Sequence, residues 1–295
     1  MELSWSMKLR IAAVVAIGVV LIGILAWPLA APPDPLMPVR VGNISLGGAA
    51  ILVLLAFMVG LIAYFVSWPY GREIGILAAP SGLGVWAVRS GSMAQLIQLN
   101  PTVGQRQTLF TALKWEPFFW LLIVAAGFAG VLLAQKIWPK SQADKIQADA
   151  NHKKNKYLNV IIGLIGSGFI IQLCVKIFAQ DIMTSYNAHV AQPAVGQIVF
   201  AILVSFGFTA FIAKKFLNIS YIWSIIAGAL VTTFTIITYT KQDVLLHLVG
   251  RYPATFFPNV VISILPVQMI AFGTLGSIAG YWLSVRYSNH QKNGT

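Results

Sequence analysis

Charged residues are scarce in this sequence, and their scarcity decides its class. Only 9% of the 295 residues are Asp, Glu, Lys or Arg, whereas 58% are hydrophobic. Soluble domains usually carry about a quarter charged residues, so a soluble fold is excluded. The composition predicts an all-α integral membrane protein with a single transmembrane domain over 1–295. The chain is long enough for a polytopic bundle of seven to eight helices of about 20 residues each.

Cysteine and histidine are nearly absent as well. Cys174 is the only cysteine, which excludes an intrachain disulfide and a thiolate metal cluster. The sequence contains no zinc-peptidase, nucleophile-elbow or paired-cysteine motif. Gly163, Gly166 and Gly168 lie in a hydrophobic run that lacks the preceding strand and following lysine of a phosphate loop. The sequence therefore predicts no catalytic residue, no cofactor and no metal site.

Acidic residues are outnumbered by basic ones, eight to 20, and the net charge is +12. In a soluble protein this excess would suggest nucleic acid as a partner. Here the cations lie at the ends of apolar runs and in one loop, where anionic lipid head groups are the nearest partner. No predicted span carries a carboxylate clearly at mid-depth, which argues against proton-coupled or ion-coupled pumping.

The interval 136–157 is the only long charged stretch between two apolar blocks. Short loops rich in lysine stay in the cytoplasm because cations are hard to translocate. We therefore expect a cytoplasmic basic loop here, in contact with anionic head groups, and Ser141 with Asp144 predicts a short capped helix inside it. The six lysines of the loop are Lys136, Lys140, Lys145, Lys153, Lys154 and Lys156.

Apolar runs predict up to eight membrane-spanning segments. With seven crossings Lys8 and Arg10 would lie outside, against the charge rule, whereas a crossing at 74–88 places both termini in the cytoplasm. We expect Pro80-Ser81-Gly82 to break this short segment, which is then either a thin, kinked span or a re-entrant hairpin. A cleaved secretory signal is the alternative interpretation of the first span. The predicted spans are about 10–31, 46–68, 74–88, 117–137, 158–179, 195–213, 219–239 and 260–282.

Two further segments carry local predictions. The outer segment 90–116 interleaves apolar and polar residues, a pattern typical of helices that lie along a membrane interface. Asn100-Pro101 predicts a break between two short helices there. In the last span, Pro266 predicts a kink, and Gln268 is expected to meet the freed carbonyl or a neighbouring helix.

Small residues four positions apart predict close helix packing. Gly276 and Gly280 share one face of the last span, and Ala126 and Gly130 share one face of the fourth. In lipid, such residues let two backbones approach closely. The partner helix could belong to this chain or to another subunit.

The segment 242–252 carries the candidate polar site. Asp243, His247 and Arg251 recur every four residues and would line one stripe of a helix. Together with Asp181 and His189 from the preceding outer loop, they could hold an anionic group or a metal. The competing interpretation is a solvated face of a short interfacial helix.

These patterns predict a multi-pass protein of the cytoplasmic membrane with both termini inside if eight spans cross. The favoured function is a non-catalytic subunit, scaffold or assembly factor of a membrane complex, with other membrane subunits as partners. The first alternative is a transporter or flippase-like carrier of a lipid or apolar solute. The second is a membrane-embedded enzyme acting at the outer interface.

Overall fold

The computed structural model of the protein describes residues 5–138, 156–179, 183–184, 189–251, 256–257 and 259–293. These residues are predominantly helical, as predicted, with several apolar helices of membrane-spanning length. Among the described residues, length and hydropathy support five spans, or six if one bent pair counts as a span, and seven to eight are not confirmed. The five are Trp5–Leu25, Leu46–Val66, Val103–Ile137, Tyr157–Ala179 and Val195–Leu217, and the pair is Ile222–Thr238 with Gln242–Val249, bent by 74°.

The first span changes its winding halfway along. α1 (Trp5–Gly18) continues as a π-helix (Val19–Leu25), and α2 (Trp27–Ala30) follows. A π-helix displaces carbonyls from the regular ladder. One of them, the Gly23 carbonyl, accepts a 3.0 Å hydrogen bond from the buried Trp86 Nε1. This bond ties the first span to the 74–88 segment.

The 74–88 segment is helical through its proline. It comprises α4 (Gly71–Ile74), a 3-10 turn (Gly75–Leu77) and α5 (Ala78–Arg89), after α3 (Leu46–Val66). The predicted break at Pro80-Ser81-Gly82 is wrong, because Pro80 lies in the first turn of α5, where its missing N–H would have no intrahelical partner. The irregular turn lies just before it, and residues 74–84 are all buried by protein.

The outer segment contains the two short helices that its sequence predicts, α6 (Met93–Gln98) and α7 (Val103–Leu113). Each begins with a capping box, formed by Ser92 with Gln95 and by Thr102 with Gln105. Leu96 and Leu113 are fully buried. The apolar side of the pair therefore packs on protein, chiefly on α12 (Gln242–Arg251) and the 3-10 turn near residue 260, and its position at a membrane interface stays a prediction.

The remaining chain forms the other half of the bundle. α10 (Val195–Leu217) and α13 (Pro266–Asn293) make its most extensive helix pair, and α3 with α8 (Glu116–Ile137) makes the next. α13 begins at Pro266, so the predicted kink is wrong, since a proline at the first helical position interrupts no hydrogen bond. The helices are α8 (Glu116–Ile137), α9 (Lys156–Ala179), α10 (Val195–Leu217), α11 (Ile222–Thr238), α12 (Gln242–Arg251) and α13 (Pro266–Asn293), with a 3-10 turn at Val260–Ser263.

A small antiparallel sheet joins two connections that the sequence predicts as loops. Its strands are β1 (Met183–Thr184), β2 (His189–Ala191) and β3 (Phe256–Phe257), in that order. Thr184 pairs with His189, and Val190 pairs with Phe257. The sheet therefore links the connection before α10 to the one before α13.

Long-range contacts sort the helix termini into two groups. We call one group the Glu116 end, after the residue at which α8 begins. There the Gly91 N–H donates to the Met37 carbonyl at 3.4 Å. In the same group, Gln107 Nε2 donates to the Thr240 carbonyl at 3.3 Å. These bonds place the connections after α2, α5 and α11 on one side of the bundle.

The opposite group, the Tyr64 end, gathers the other termini. The Tyr64 hydroxyl donates to the Trp138 carbonyl at 2.7 Å, which joins the end of α3 to the end of α8. The Arg10 guanidinium lies 5.9 Å from the ring centroid of Tyr70. Lys214 Nζ lies 5.2 Å from the ring centroid of Tyr281, so α10 and α13 also meet there.

Candidate functional site

A cavity opens at the Glu116 end, where α2 and α5 finish. Its volume is about 350 Å³, enough for a lipid head group or a small organic molecule. We call it the Trp27 cavity. It is lined by Trp27, Ala31, Pro32, Pro35, Met37, Arg89 and Ser90.

A short connector after α2 forms one wall of the Trp27 cavity. Asp34 folds it into a turn, since its Oδ1 accepts from the Leu36 N–H at 2.9 Å and its carbonyl accepts from the Met37 N–H at 3.0 Å. Gly91 then holds the connector against the end of α5. A Cβ at Gly91 would lie 2.0 Å from the Leu36 carbonyl oxygen, so only glycine permits this approach.

Arg89 supplies the only charge among the residues that line the cavity. It occupies the last residue of α5, and its side chain is exposed. The guanidinium carbon lies 4.4 Å from the ring centroid of Trp27, a cation–π contact that orients the side chain. A guanidinium has five N–H donors, and stacking leaves them available to an anion.

Ser90 adds an unsatisfied hydroxyl beside Arg89. The residue is 8% exposed, and its Oγ has no hydrogen-bond partner among the described residues. A buried hydroxyl without a partner costs about 1 to 3 kcal/mol, so this position is unfavourable unless something hydrogen-bonds it. Ser90 lines the same cavity as Arg89.

A row of tryptophans runs from the cavity into the bundle. The ring centroids of Trp27 and Trp86 are 6.4 Å apart, and those of Trp86 and Trp120 are 6.2 Å apart, both edge to face. Trp86 and Trp120 are fully buried. Because aromatic pairs at these distances are mutually stabilising, the row fixes the inner wall of the cavity.

A buried ion pair lies one turn of α8 from Trp120. Glu116 is 3% exposed, and its Oε1 is 3.6 Å from Arg40 Nε. The same oxygen accepts a 3.3 Å hydrogen bond from the Val41 N–H. Glu116 thereby holds the connector before α3 against α8, and its charge is matched by Arg40. Arg89 has no such carboxylate partner within the described residues.

The sequence analysis missed these residues as functional candidates. Arg40 received no role, and Arg89 and Glu116 served only as boundaries of apolar segments. One signal was available, since Glu116 directly precedes a long apolar run in a chain with only eight acidic residues. Its partner could not be inferred, because 76 positions separate it from Arg40.

The predicted polar site on α12 is only partly described. Asp243 and His247 are exposed on that helix. The backbone of His189 forms part of β2, whereas Asp181 and the side chains of His189 and Arg251 lie outside the described residues. Leu245 on the other side of α12 is fully buried, so this helix packs on protein. Convergence of the five side chains stays a prediction, and the described residues contain no group of three metal-binding side chains.

The predicted packing residues lie at helix crossings. A Cβ at Gly276 would lie 2.5 Å from the Leu203 carbonyl oxygen, and one at Gly280 would lie 1.9 Å from that of Gly207, both in α10. Gly130 similarly approaches the Phe57 carbonyl oxygen of α3, at 2.0 Å. Ala126 is half-buried, and its neighbour Gly127 lies at the closest approach of α3 instead.

The basic loop lies mostly outside the described residues. Lys136 and Trp138 are described, whereas 139–155, including Ser141 and Asp144, are not. Gln268, by contrast, meets a neighbouring helix as predicted. It is 1% exposed, and its Nε2 donates to the Ala87 carbonyl of α5 at 3.1 Å.

Comparison with protein-family models finds no match for this chain. Comparisons with curated proteins and with solved structures also find none.

Proposed function

We propose that this chain is a multi-pass protein of the cytoplasmic membrane that crosses eight times, with the Tyr64 end in the cytoplasm. The contacts that sort the helix termini into two groups support this arrangement. α4 and α5 connect the two groups, since Tyr70 meets Arg10 at one end and Gly91 meets Met37 at the other. The lysine-rich loop starts at the Tyr64 end, which the charge rule assigns to the cytoplasm.

In this arrangement the protein binds an anionic lipid in the Trp27 cavity without chemical conversion. The observation that carries the proposal is the pairing of one uncompensated cation, Arg89, with the buried hydroxyl of Ser90 in an otherwise apolar pocket. A phosphate oxygen would accept from both donors, while Trp27 and the proline-rich wall would contact the glycerol and upper acyl carbons. Tryptophan is favoured at this depth because its ring suits the head-group layer.

The packing of α5 favours a lipid that stays bound in the cavity over a lipid that the protein carries across the membrane. A Cβ at Gly18 would lie 1.9 Å from the Ala78 carbonyl oxygen, so α1 and α5 touch backbone to backbone. A Cβ at Gly82 would likewise lie 2.5 Å from the Gly18 carbonyl oxygen. A gate at 74–88 would have to separate these surfaces. Membership of a membrane complex is a compatible role, and co-purification of stoichiometric partner chains from native membranes tests it.

The test is retention of a defined lipid by purified protein. Detergent-solubilised protein is incubated with phosphatidylglycerol or phosphatidylcholine of equal chain length, and bound lipid is counted by native mass spectrometry. We expect wild type to retain phosphatidylglycerol in preference. Arg89→Gln should weaken that binding about tenfold or more, since a hydrogen bond to a charged group contributes about 1.5 to 3 kcal/mol.

Two further variants make the test specific. Ser90→Ala should also weaken lipid retention, yet leave thermal stability unchanged or raised, because it removes an unsatisfied buried hydroxyl. Lys241→Gln removes an exposed cation at the same end, away from the cavity lining, and should retain lipid like wild type. Equal retention of both lipids by wild type, or equal losses in Arg89→Gln and Lys241→Gln, would contradict the proposal.

A further inference from the structure

Arg106 is a buried cation without an acidic partner. It lies on α7, is 8% exposed, and donates from Nε to the Asn100 carbonyl at 3.0 Å. No carboxylate pairs with it among the described residues. That one hydrogen bond uses one of five guanidinium N–H groups. Taking a charge out of water without a counter-charge is costly, so this position calls for an anion.

A small cavity adjoins the Arg106 side chain. Its volume is about 20 Å³, and Arg106 and Tyr239 are the only polar residues that line it. The phenol ring of Tyr239 packs against Phe110 with centroids 5.8 Å apart, and both residues line the cavity together with Arg106. The full lining consists of Ile97, Arg106, Phe110, Tyr239, Leu245, Leu248, Phe257 and Ile262.

Helix α12 covers this cavity. It follows α11 after a 74° bend, and its residues Leu245 and Leu248 form part of the lining. Leu245 is fully buried, with 0% of its surface accessible to solvent. An apolar cover lowers the local dielectric, which strengthens attraction between Arg106 and any anion beneath it.

The cavity size restricts which anion can bind. A cavity needs about 10 to 15 Å³ to hold one water molecule, so the accessible volume of about 20 Å³ suits a particle of about that size. A halide ion is close to water in size, whereas sulfate and a phosphate head group are several times larger. The opening at the Trp27 cavity, about 350 Å³, has no such restriction.

We propose that the Arg106 cavity binds one halide ion, chloride in physiological solution, through the Arg106 guanidinium and the Tyr239 hydroxyl. The bound ion neutralises the buried cation and joins α7 to the α11–α12 bend. This site is separate from the Trp27 cavity and does not depend on lipid binding there.

The experiment measures thermal unfolding of the purified protein in detergent at constant ionic strength. Sodium gluconate is replaced stepwise by chloride or bromide, and sulfate at equal ionic strength serves as the size control. We expect the apparent melting temperature to rise and saturate with either halide, and to stay at the gluconate value in sulfate. Line broadening of ³⁵Cl in nuclear magnetic resonance provides a direct measure of binding.

The variants assign the site. Arg106→Gln should abolish the halide dependence, and Tyr239→Phe should raise the apparent halide dissociation constant severalfold. Lys241→Gln removes an exposed cation next to α12 and should keep the wild-type response. If Arg106→Gln does not fold, the wild-type titration and Tyr239→Phe decide the question. Equal melting temperatures in gluconate and halide, an equal effect of sulfate, or an unchanged response in Tyr239→Phe would overturn the proposal.

Discussion

Adding one methyl group at Gly280 should force two helices apart. An ideal Cβ at this position would lie 1.9 Å from the Gly207 carbonyl oxygen and 2.8 Å from its Cα. The obstacle is backbone, which cannot rotate away as a side chain can. Ordinary van der Waals contact begins at 3.4 Å, so Gly280→Ala must separate α10 and α13 by about 1.5 Å (3.4 minus 1.9) at this crossing.

The expected cost follows from that separation. A gap of even 0.5 to 1 Å forfeits about a quarter to a half of the attraction in each affected atom pair, and overpacking usually costs about 1 to 3 kcal/mol. Backbone contact places Gly280 near the upper limit. Alanine regains about 1 kcal/mol of helix propensity, which leaves a net loss of about 2 kcal/mol.

Gly166 provides the matched control. It also lies inside a long apolar helix, α9, but an added Cβ there meets nothing within 4 Å. Gly166→Ala should therefore be neutral or stabilising by up to about 1 kcal/mol, because only the propensity gain applies. The two identical substitutions should shift stability in opposite directions.

The assay is the apparent melting temperature of both variants in one detergent at one heating rate, since membrane proteins often unfold irreversibly. At roughly 2 °C per kcal/mol, Gly280→Ala should melt about 4 °C below wild type. Gly276→Leu and Gly280→Leu should lower the yield of folded protein further. If Gly280→Ala melts at or above wild type while Gly166→Ala melts below it, this account of the α10–α13 crossing is wrong.

Two other predictions follow from the ion pair and from the topology. Glu116→Ala leaves the partly buried Arg40 without its counter-charge and should lower the free energy of unfolding by about 3 kcal/mol. The double variant Arg40→Met with Glu116→Gln should lower it by less, and the same melting assay compares the two. In a Cys174→Ser background, cysteine at Gln105 should react with a membrane-impermeant maleimide in intact cells and cysteine at Ser141 should not. The reverse labelling pattern would overturn the proposed orientation.

The sequence predicted the features that depend only on residues close to one another along the chain. The apolar run 46–68 contains α3, and the capped helices α6 and α7 flank the predicted break at Asn100-Pro101. Hydropathy and capping are local properties, so a single segment contains the information. Their burial was not predictable in the same way, because α12, which covers α7, lies more than 100 residues further along the chain.

Both proline predictions failed for one physical reason. Proline breaks a helix in its interior but is tolerated in the first turn. Whether Pro80 and Pro266 are interior depends on where each helix begins. Tertiary packing sets those starting points: the 3-10 turn before α5 lies among buried residues, and the turn before α13 is held by Asn259, whose Oδ1 accepts from the Val261 N–H at 3.1 Å.

The proposed lipid site was hidden because its residues come from distant segments. Trp27 and Arg89 belong to different spans, and each alone is an ordinary interfacial residue. Their segments are brought together by long-range contacts, among them the approach of Gly91 to the Leu36 carbonyl and the hydrogen bond from Trp86 to the Gly23 carbonyl. The spacing of Asp243 and His247 was visible in the sequence, whereas the cavity behind α12 required Arg106 and Tyr239, 133 positions apart.

Charge composition connects the two proposed anion sites. The 20 basic residues outnumber the eight acidic ones by twelve, so most cations cannot each have an acidic partner of their own. Most can be solvated, and such positions require no ligand. Glu116 is already paired with Arg40, so it cannot neutralise Arg89 or Arg106. Arg106 is also shielded from water, and Arg89 stands beside an unsatisfied hydroxyl. We therefore propose those two cations as the positions where an external anion would gain most, with the lipid at the larger cavity and the halide at the smaller one.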